Sequence, residues 1–279
     1  MAASNIMGAL VAFIVTSLLT QPQLEGFGWR LPFVFGLLIA PVGLWIRSTL
    51  DETPEFKREA VRQLTDPVHP LKELLATHKL AVLRGWALSI MLTVSSYTLV
   101  IFMPTYVQRT FGYLPKEAFA ASLVGNVLMV ACCVLAGIAS DRIGRRAVLA
   151  ASAVWLVVLV HPLVWLVQTQ HSLGTLVIVQ CLLCIGVGGF VGVAPAALAE
   201  LFPARVRSTG VSLCYNLAVT IFSGFAPAVL SFLTGRGGVF APGWYVIIAA
   251  CLAAPAVFSL KAGRSPVPST TPDVSPSRA

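Results

Sequence analysis

An all-α polytopic membrane protein is the fold class that this sequence predicts, and three observations lead to it. Of the 279 residues, 57% are hydrophobic and only 11% are charged, whereas soluble domains carry about 25% charged residues. The apolar residues fall in long runs, and a membrane-spanning helix needs about 20 such residues. The basic residues are concentrated on alternate connections between those runs. A water-soluble enzyme is excluded, because so few charges cannot cover its surface.

Eight apolar runs predict eight spanning helices. Gly and Pro occur within them, and spanning helices tolerate these residues because neighbouring helices can bond the backbone groups that they free. The runs are too long and too continuous for the alternating strands of a membrane β-barrel. The segments lie approximately at 1–20, 31–47, 84–107, 117–139, 147–168, 173–201, 208–234 and 242–260.

The connections alternate between two sides of the predicted membrane. Fifteen of the 19 Lys and Arg residues fall on the side that holds 47–84, 140–146, 202–207 and the tail from 261. The positive-inside rule makes that side cytoplasmic, so both termini are expected in the cytoplasm. The net charge of +8 is then a consequence of topology, and no nucleic-acid-binding module is indicated.

One charged stretch, GIASDRIGRR at 137–146, separates two apolar runs. It predicts a tight cytoplasmic turn, in which Gly137 permits close helix packing and Gly144 permits a sharp change of backbone direction. The arginines of the stretch hold the turn on the positive side. Asp141 has no part in orienting the chain, and its carboxylate is suited to the positive end of a neighbouring helix.

The same stretch resembles the loop signature of the major facilitator superfamily, G-x-x-x-D-R-x-G-R-R, at every fixed position. Residues 28–56 (GWRLPFVFGLLIAPVGLWIRSTLDETPEF) and 200–230 (ELFPARVRSTGVSLCYNLAVTIFSGFAPAVL) resemble the metabolite–proton symporter branch of that superfamily. Members of this branch carry citrate and related tricarboxylates, 2-oxoglutarate, shikimate, or osmolytes such as proline and betaine. The resemblance implies a secondary transporter of the inner membrane that couples uptake of a small carboxylate to protons. Symport of an osmolyte is the alternative.

The resemblance also implies a domain organisation. The family has twelve helices in two halves, and this chain matches helices five to twelve. The expected ranges are 1–48 for the last two helices of the first half, 49–83 for a cytoplasmic linker with short helices over 50–64 and 69–79, 84–262 for the complete six-helix second half, and 263–279 for a disordered tail. Alternating access needs two halves. The chain is therefore expected not to transport without its missing N-terminal half, unless two copies assemble.

Helices seven, ten and eleven border the central cavity in this fold. Their polar residues are candidates for lining the substrate site, and the alternative is helix-to-helix hydrogen bonding. The candidates are Tyr97, Gln180, Tyr215 and Asn216. No predicted span has a carboxylate near its middle, so the proton site is assigned to the missing half. His161 is either a proton-binding group or, with Pro162, the site of a helix kink.

Glu200 and the signature loop form a predicted cytoplasmic latch. Glu200 is expected to pair with Arg145 or Arg142, and Asp141 is expected to face the start of segment 1–20. These contacts would form when the cytoplasmic side is closed and break when it opens. The alternative is a solvated cluster whose ion pairs contribute about 0–1 kcal/mol. The loop and latch residues are Gly137, Asp141, Arg142, Gly144, Arg145, Arg146 and Glu200.

Other chemistries are not indicated. The six cysteines fall within predicted spans, where cysteine acts as a small hydrophobe, and no second Cys pair or flanking His completes a metal site. No cofactor motif and no catalytic constellation is present. The expected partners are therefore a small metabolite, a proton and the lipid bilayer.

Overall fold

The computed structural model describes residues 2–37, 39–49 and 70–260. These ranges contain helices joined by short turns, and no β-strand occurs within them. In chain order the helices are α1 (Ala2–Leu18), α2 (Gln21–Gly26), α3 (Leu31–Leu37), α4 (Ile39–Thr49), α5 (Pro70–Thr77), α6 (Lys79–Ser96), α7 (Met103–Phe111), α8 (Pro115–Ile143), α9 (Arg145–Thr169), α10 (Leu173–Glu200), α11 (Arg207–Ala218), α12 (Ala226–Gly235) and α13 (Ala241–Ser259). The all-α polytopic membrane fold is confirmed.

Six helical segments of the described chain are long and apolar enough to cross a membrane, and they coincide with the last six predicted spans. They are Lys79–Ile101, Pro115–Ile143, Arg145–Thr169, Leu173–Glu200, Arg207–Gly235 and Ala241–Ser259. The first begins at Lys79 and ends at Ile101, whereas the predicted span was 84–107.

The two N-terminal predicted spans are helical where the structure describes them. Ser4–Leu18 is an apolar helix below spanning length, and it packs along α8. Segment 31–47 is covered by α3 and α4, which lie on either side of residue 38, and that residue is outside the described ranges. The predicted linker helix over 50–64 and the tail 263–279 lie outside the described residues.

The short linker helix expected over 69–79 is present as α5. Its Leu74 is fully buried, and the helix packs against α6 and α11. The Glu73 Oε2 atom lies 3.8 Å from Arg205 Nε in the turn before α11. The end of the linker is therefore packed onto the second half through one apolar side chain and one ion pair.

Helix α10 is the most buried of the six spans, and its glycines explain how two neighbours approach it. A Cβ added to Gly188 would lie 2.8 Å from the Met129 carbonyl oxygen of α8. A Cβ added to Gly192, one turn further along, would lie 2.9 Å from Cys133 Cα. The two backbones are in contact there, as in small-residue interfaces of membrane helices.

A second face of α10 packs on α9 by the same means. A Cβ at Gly186 would lie 2.6 Å from Trp155 Cδ1, and a Cβ at Gly189 would collide with the Ser152 hydroxyl. The sequence GVGGFVG at 186–192 therefore provides two close-packing faces on one helix.

The spans that begin at Lys79 and Arg207 both change from α- to π-helical geometry. The first π-helical segment is Tyr97–Ile101 and the second is Val219–Ser223. In each, the chain forms a backbone bond to the residue five positions earlier: Phe102 N donates to Tyr97 O at 2.8 Å, and Gly224 N donates to Val219 O at 2.6 Å. The sequence analysis predicted uninterrupted helices here and missed both segments.

The glycine packing predicts that one methyl group is damaging at Gly192 and harmless at Gly137. Gly192→Ala forces the α8 and α10 backbones apart, and overpacking of this kind costs about 1–3 kcal/mol. The matched control is Gly137→Ala, whose Cβ would meet its nearest neighbour, the Gly192 carbonyl oxygen, at an ordinary 4.0 Å. Both changes gain the same helix propensity, about 1 kcal/mol. Thermal unfolding in detergent should show a lower Tm for Gly192→Ala alone. Equal shifts for the two variants would contradict this packing.

Candidate functional site

The turn between α8 and α9 is made by a single residue. Gly144 has φ 95° and ψ 146°, a positive φ that side-chain-bearing residues rarely adopt. Its N–H closes α8 by donating to Ser140 O at 2.9 Å, and α9 begins at the next residue. Gly144 therefore has the turn-forming geometry that the sequence predicted.

Arg145 connects the ends of three helices. Its Nε lies 2.7 Å from Glu200 Oε1 at the end of α10, so the expected pair is present. Its Nη1 donates to Ser140 Oγ at 3.0 Å and lies 3.3 Å from Asp141 Oδ1, both on α8. Only 19% of the Arg145 side chain is exposed, but 50% of the Glu200 side chain is, so water screens the pair.

One expectation about this loop needs correction and another stays a prediction. The carboxylate of Asp141 contacts Arg145 on its own connection; that it also faces the start of segment 1–20 stays a prediction, because Met1 and the side chains of residues 2 and 3 lie outside what the structure describes. Gly137 is not needed for close helix packing, since a Cβ there would fit at 4.0 Å from its nearest neighbour. That requirement belongs to Gly192 on the facing helix.

The other two arginines of the loop differ in their surroundings. Arg142 is exposed near the end of α8. Arg146 is half-buried, and its guanidinium carbon lies 5.2 Å from the centre of the Phe258 ring on α13. Arg146 therefore contacts α13, a neighbour that the sequence analysis did not assign to it.

The π-helical segment of the first span explains the position of Gln180. In the five-residue register of that segment, the partner of the Leu99 carbonyl would be residue 104, which is a proline and has no N–H. Gln180 Nε2, on α10, donates to Leu99 O at 3.0 Å. Its side chain is only 1% exposed. Gln180 is thus placed inside the helix packing, which favours the hydrogen-bonding alternative over an open substrate-lining position.

The second π-helical segment repeats this arrangement with different residues. The partner of the Phe222 carbonyl, five positions on, would be Pro227, which again has no N–H. Tyr245 of α13 donates its hydroxyl to Phe222 O at 2.6 Å. Both freed carbonyls are therefore bonded by a polar side chain from a neighbouring helix.

Each π-helical segment also contains a fully buried hydroxyl group, on Thr98 and on Ser223. Neither oxygen has a hydrogen-bond partner within the described ranges, although buried hydroxyls in helices commonly bond their own backbone. Sequence reasoning missed Thr98, Ser223 and Tyr245. The signal that could have indicated these segments was a proline inside each apolar run.

The remaining substrate-lining candidates are closer to the surface. Tyr97 and Tyr215 are half-buried and near enough to interact electrostatically, so the structure brings these two together. Asn216 is exposed, and its Nδ2 donates to Ser212 O on its own helix at 2.8 Å. Gln180, in contrast to these three candidates, is buried.

His161 is surrounded by aromatic rings. It stacks on Phe240 with ring centres 5.7 Å apart and meets Trp244 edge-on at 4.9 Å. Gly243 leaves room for it, because a Cβ there would lie 2.9 Å from the imidazole. Helix α9 continues through Pro162, and the kink expected there stays a prediction. The surroundings of His161 favour a packing position.

Comparison with known proteins agrees with this architecture. Residues 57–261 match the sugar (and other) transporter family. The chain belongs to this family of the major facilitator superfamily. No solved structure matches it significantly.

Several curated transporters are similar over most of this chain. The ectoine/proline transporter ProP of Corynebacterium glutamicum is 26% identical over 98% of the chain and 56% of that protein. The citrate-proton symporter of Klebsiella pneumoniae is 29% identical over 88% of the chain and 55% of its own length. The alpha-ketoglutarate permease of Escherichia coli is 28% identical over 89% and 56%. The chain thus spans about half the length of these relatives, which are named as transporters and not as enzymes.

If Gln180 compensates for the N–H that Pro104 lacks, substitutions of these two residues should have non-additive effects on the free energy of unfolding. Gln180→Leu leaves the buried Leu99 carbonyl without a donor and should lower the free energy of unfolding by about 1 kcal/mol. In a Pro104→Ala background the backbone regains an N–H that can reach this carbonyl, so the cost should shrink. A double-mutant cycle by thermal unfolding in detergent measures the difference.

The matched control for this cycle is Gln168→Leu, which removes an exposed glutamine and should cost nothing in either background. An equal cost of Gln180→Leu with and without Pro104 would show that the bond does not compensate for the proline.

Proposed function

We propose that this chain forms the second half of a proton-coupled secondary carrier for a small carboxylate-bearing metabolite, of the citrate or dicarboxylate type. The observation that carries the proposal is the Arg145–Glu200 pair, which lies at the signature loop of a chain that belongs to a transporter family. In this proposal 1–48 belongs to the first half, 49–83 to the linker, 84–262 to the second half and 263–279 to the tail.

The substrate class rests on what the relatives have in common. Citrate, alpha-ketoglutarate, proline and ectoine, which appear in the names of the relatives, all bear a carboxylate. Hydroxyl and amide groups can bind a carboxylate by donating hydrogen bonds. Tyr97, Tyr215 and Asn216 provide such donors near the surface of the second half. Symport of an osmolyte such as proline or betaine is the alternative, which the similarity to the ectoine/proline transporter favours.

The Arg145–Glu200 pair, together with Asp141, is proposed as a latch on the cytoplasmic side. Its contacts join α8, α9 and α10 at one end of the bundle. An exposed pair of this kind contributes about 0–1 kcal/mol. A latch this weak can open without a large barrier, which suits a carrier that must alternate between two states.

Uptake by a chimaeric carrier tests the proposal. This chain replaces the portion of the Klebsiella pneumoniae citrate-proton symporter that it matches, and the chimaera is reconstituted in liposomes with an imposed pH gradient. Labelled citrate or 2-oxoglutarate should accumulate only with the gradient. The chain without the rest of the relative should give no accumulation, because alternating access needs two halves. Accumulation of proline alone would select the osmolyte alternative.

The same assay tests the latch. Glu200→Gln should lower gradient-driven uptake several-fold while changing the free energy of unfolding by no more than about 1 kcal/mol. The matched control is Glu73→Gln, whose partner Arg205 is 3.8 Å away on the linker contact, and it should leave the rate unchanged. A chimaera that accumulates none of the substrates, while the unmodified relative does, would contradict the proposed function.

The orientation of the chain is also part of the proposal. In this proposal both termini lie in the cytoplasm and the turn at Gly112, between α7 and α8, lies on the outer side, and the distribution of basic residues supports this orientation. A fluorescent reporter fused after Ala279 should fold and fluoresce, and a phosphatase reporter inserted at Gly112 should be active only if it has crossed the membrane. The reverse result at either site would overturn this topology.

A further inference from the structure

An apolar groove runs between α9 and α13 on the outside of the bundle. Its floor is made of small side chains on one face of each helix: Ala150, Ala153 and Val157 from α9, and Ala250, Ala254 and Val257 from α13. The cavity volume is about 220 Å³. Because small residues line both sides, the two helices leave a depression where larger side chains would have filled the surface.

A positive charge lies at one end of this groove. Arg146 is one helical turn before Ala150 on α9, and its guanidinium carbon is 5.2 Å from the Phe258 ring, which belongs to the groove lining. Among the described residues no carboxylate forms an ion pair with Arg146. Because α9 begins at Arg145 and the apolar span follows it, the proposed topology puts the guanidinium at the membrane surface, with the groove extending from it into the membrane.

The chemistry of the groove selects its occupant. Water is a poor candidate, because a bound water needs two to four polar partners and the lining side chains are apolar. A second copy packed here about a twofold axis along the membrane normal would bring two Arg146 side chains together, and like charges repel. A lipid tail needs no polar partners and brings no second positive charge. The groove is also large enough to hold part of such a tail, since in other proteins a cavity of about 150 Å³ binds benzene.

We propose that the groove between α9 and α13 binds one acyl chain of an anionic phospholipid, with Arg146 contacting the phosphate of its headgroup. The apolar walls bind the chain without regard to the headgroup. The arginine provides the selectivity, because a basic side chain at the membrane surface favours acidic lipids about fivefold. This site is separate from the latch and does not depend on the proposed transport activity.

Photocrosslinking of lipids tests the site on the full chain, purified and placed in phosphatidylcholine nanodiscs. Phosphatidylglycerol or phosphatidylcholine with a photoreactive acyl chain is added in trace amount, and adducts are mapped by mass spectrometry. Phosphatidylglycerol should label segments 150–158 and 250–258 about fivefold more than phosphatidylcholine does. Arg146→Gln should remove the excess. Ala254→Leu, which fills the groove and keeps the charge, should reduce labelling by both lipids.

The matched control is Arg236→Gln, because Arg236 makes a similar contact with an aromatic ring, 4.2 Å from Phe232, outside the groove lining. It should leave labelling unchanged. High salt on the unmodified chain should also reduce the excess, which keeps the test valid if a variant does not fold. Equal labelling by the two lipids, or labelling unaffected by Ala254→Leu, would overturn the proposal. Oxidative crosslinking of Cys251 between two chains with no lipid adducts would instead identify a second copy as the occupant.

Discussion

The structure depends on one constraint, that a backbone carbonyl freed inside a membrane must find another donor. Pro104 and Pro227 each remove an N–H from a spanning helix, and in both places the helix widens to π geometry. Gln180 then bonds Leu99 O and Tyr245 bonds Phe222 O. The prolines thereby determine where polar side chains of α10 and α13 must lie, and these bonds connect each π-helical segment to a neighbouring helix.

Close backbone packing is the second feature that makes this arrangement possible. Gln180 reaches the π-helical segment after α6 past Gly125 of α8, where an added Cβ would lie 2.7 Å from the Gln180 side chain. The glycines of α10 then allow α8 and α9 to pack directly on its two faces. Membrane helices gain little from hydrophobic burial against each other, so contact between backbones supplies much of the attraction that water would supply in a soluble bundle.

Most of the fold could be predicted from the sequence, because spanning length and basic-residue placement are local properties. Gly144 and the pairing of Glu200 with Arg145 were also predictable, since the loop signature and the end of α10 had to lie on one side of the membrane. The roles of Gly137 and Gln180 were not. Both depend on which face of a helix meets which neighbour. That is set by the rotation of each helix about its own axis, which cannot be derived from a single sequence. The two prolines could be seen in the sequence. The side chains that donate to the freed carbonyls, however, come from helices about 80 and 20 residues away in the chain, and no local pattern indicates them.

The strengths of these contacts indicate how the proposed carrier would move. The bond from Gln180 is buried and the bond from Tyr245 is part-buried, and the loss of either leaves an unpaired carbonyl at a cost of about 1–3 kcal/mol. The latch between Arg145 and Glu200 is screened by water and contributes about 0–1 kcal/mol. A transition that breaks the latch and preserves the buried bonds is therefore the less costly one. The bonds from Gln180 and Tyr245 would then hold their helix pairs together, and the change within this half would be confined to the ends of α8, α9 and α10 that the latch joins.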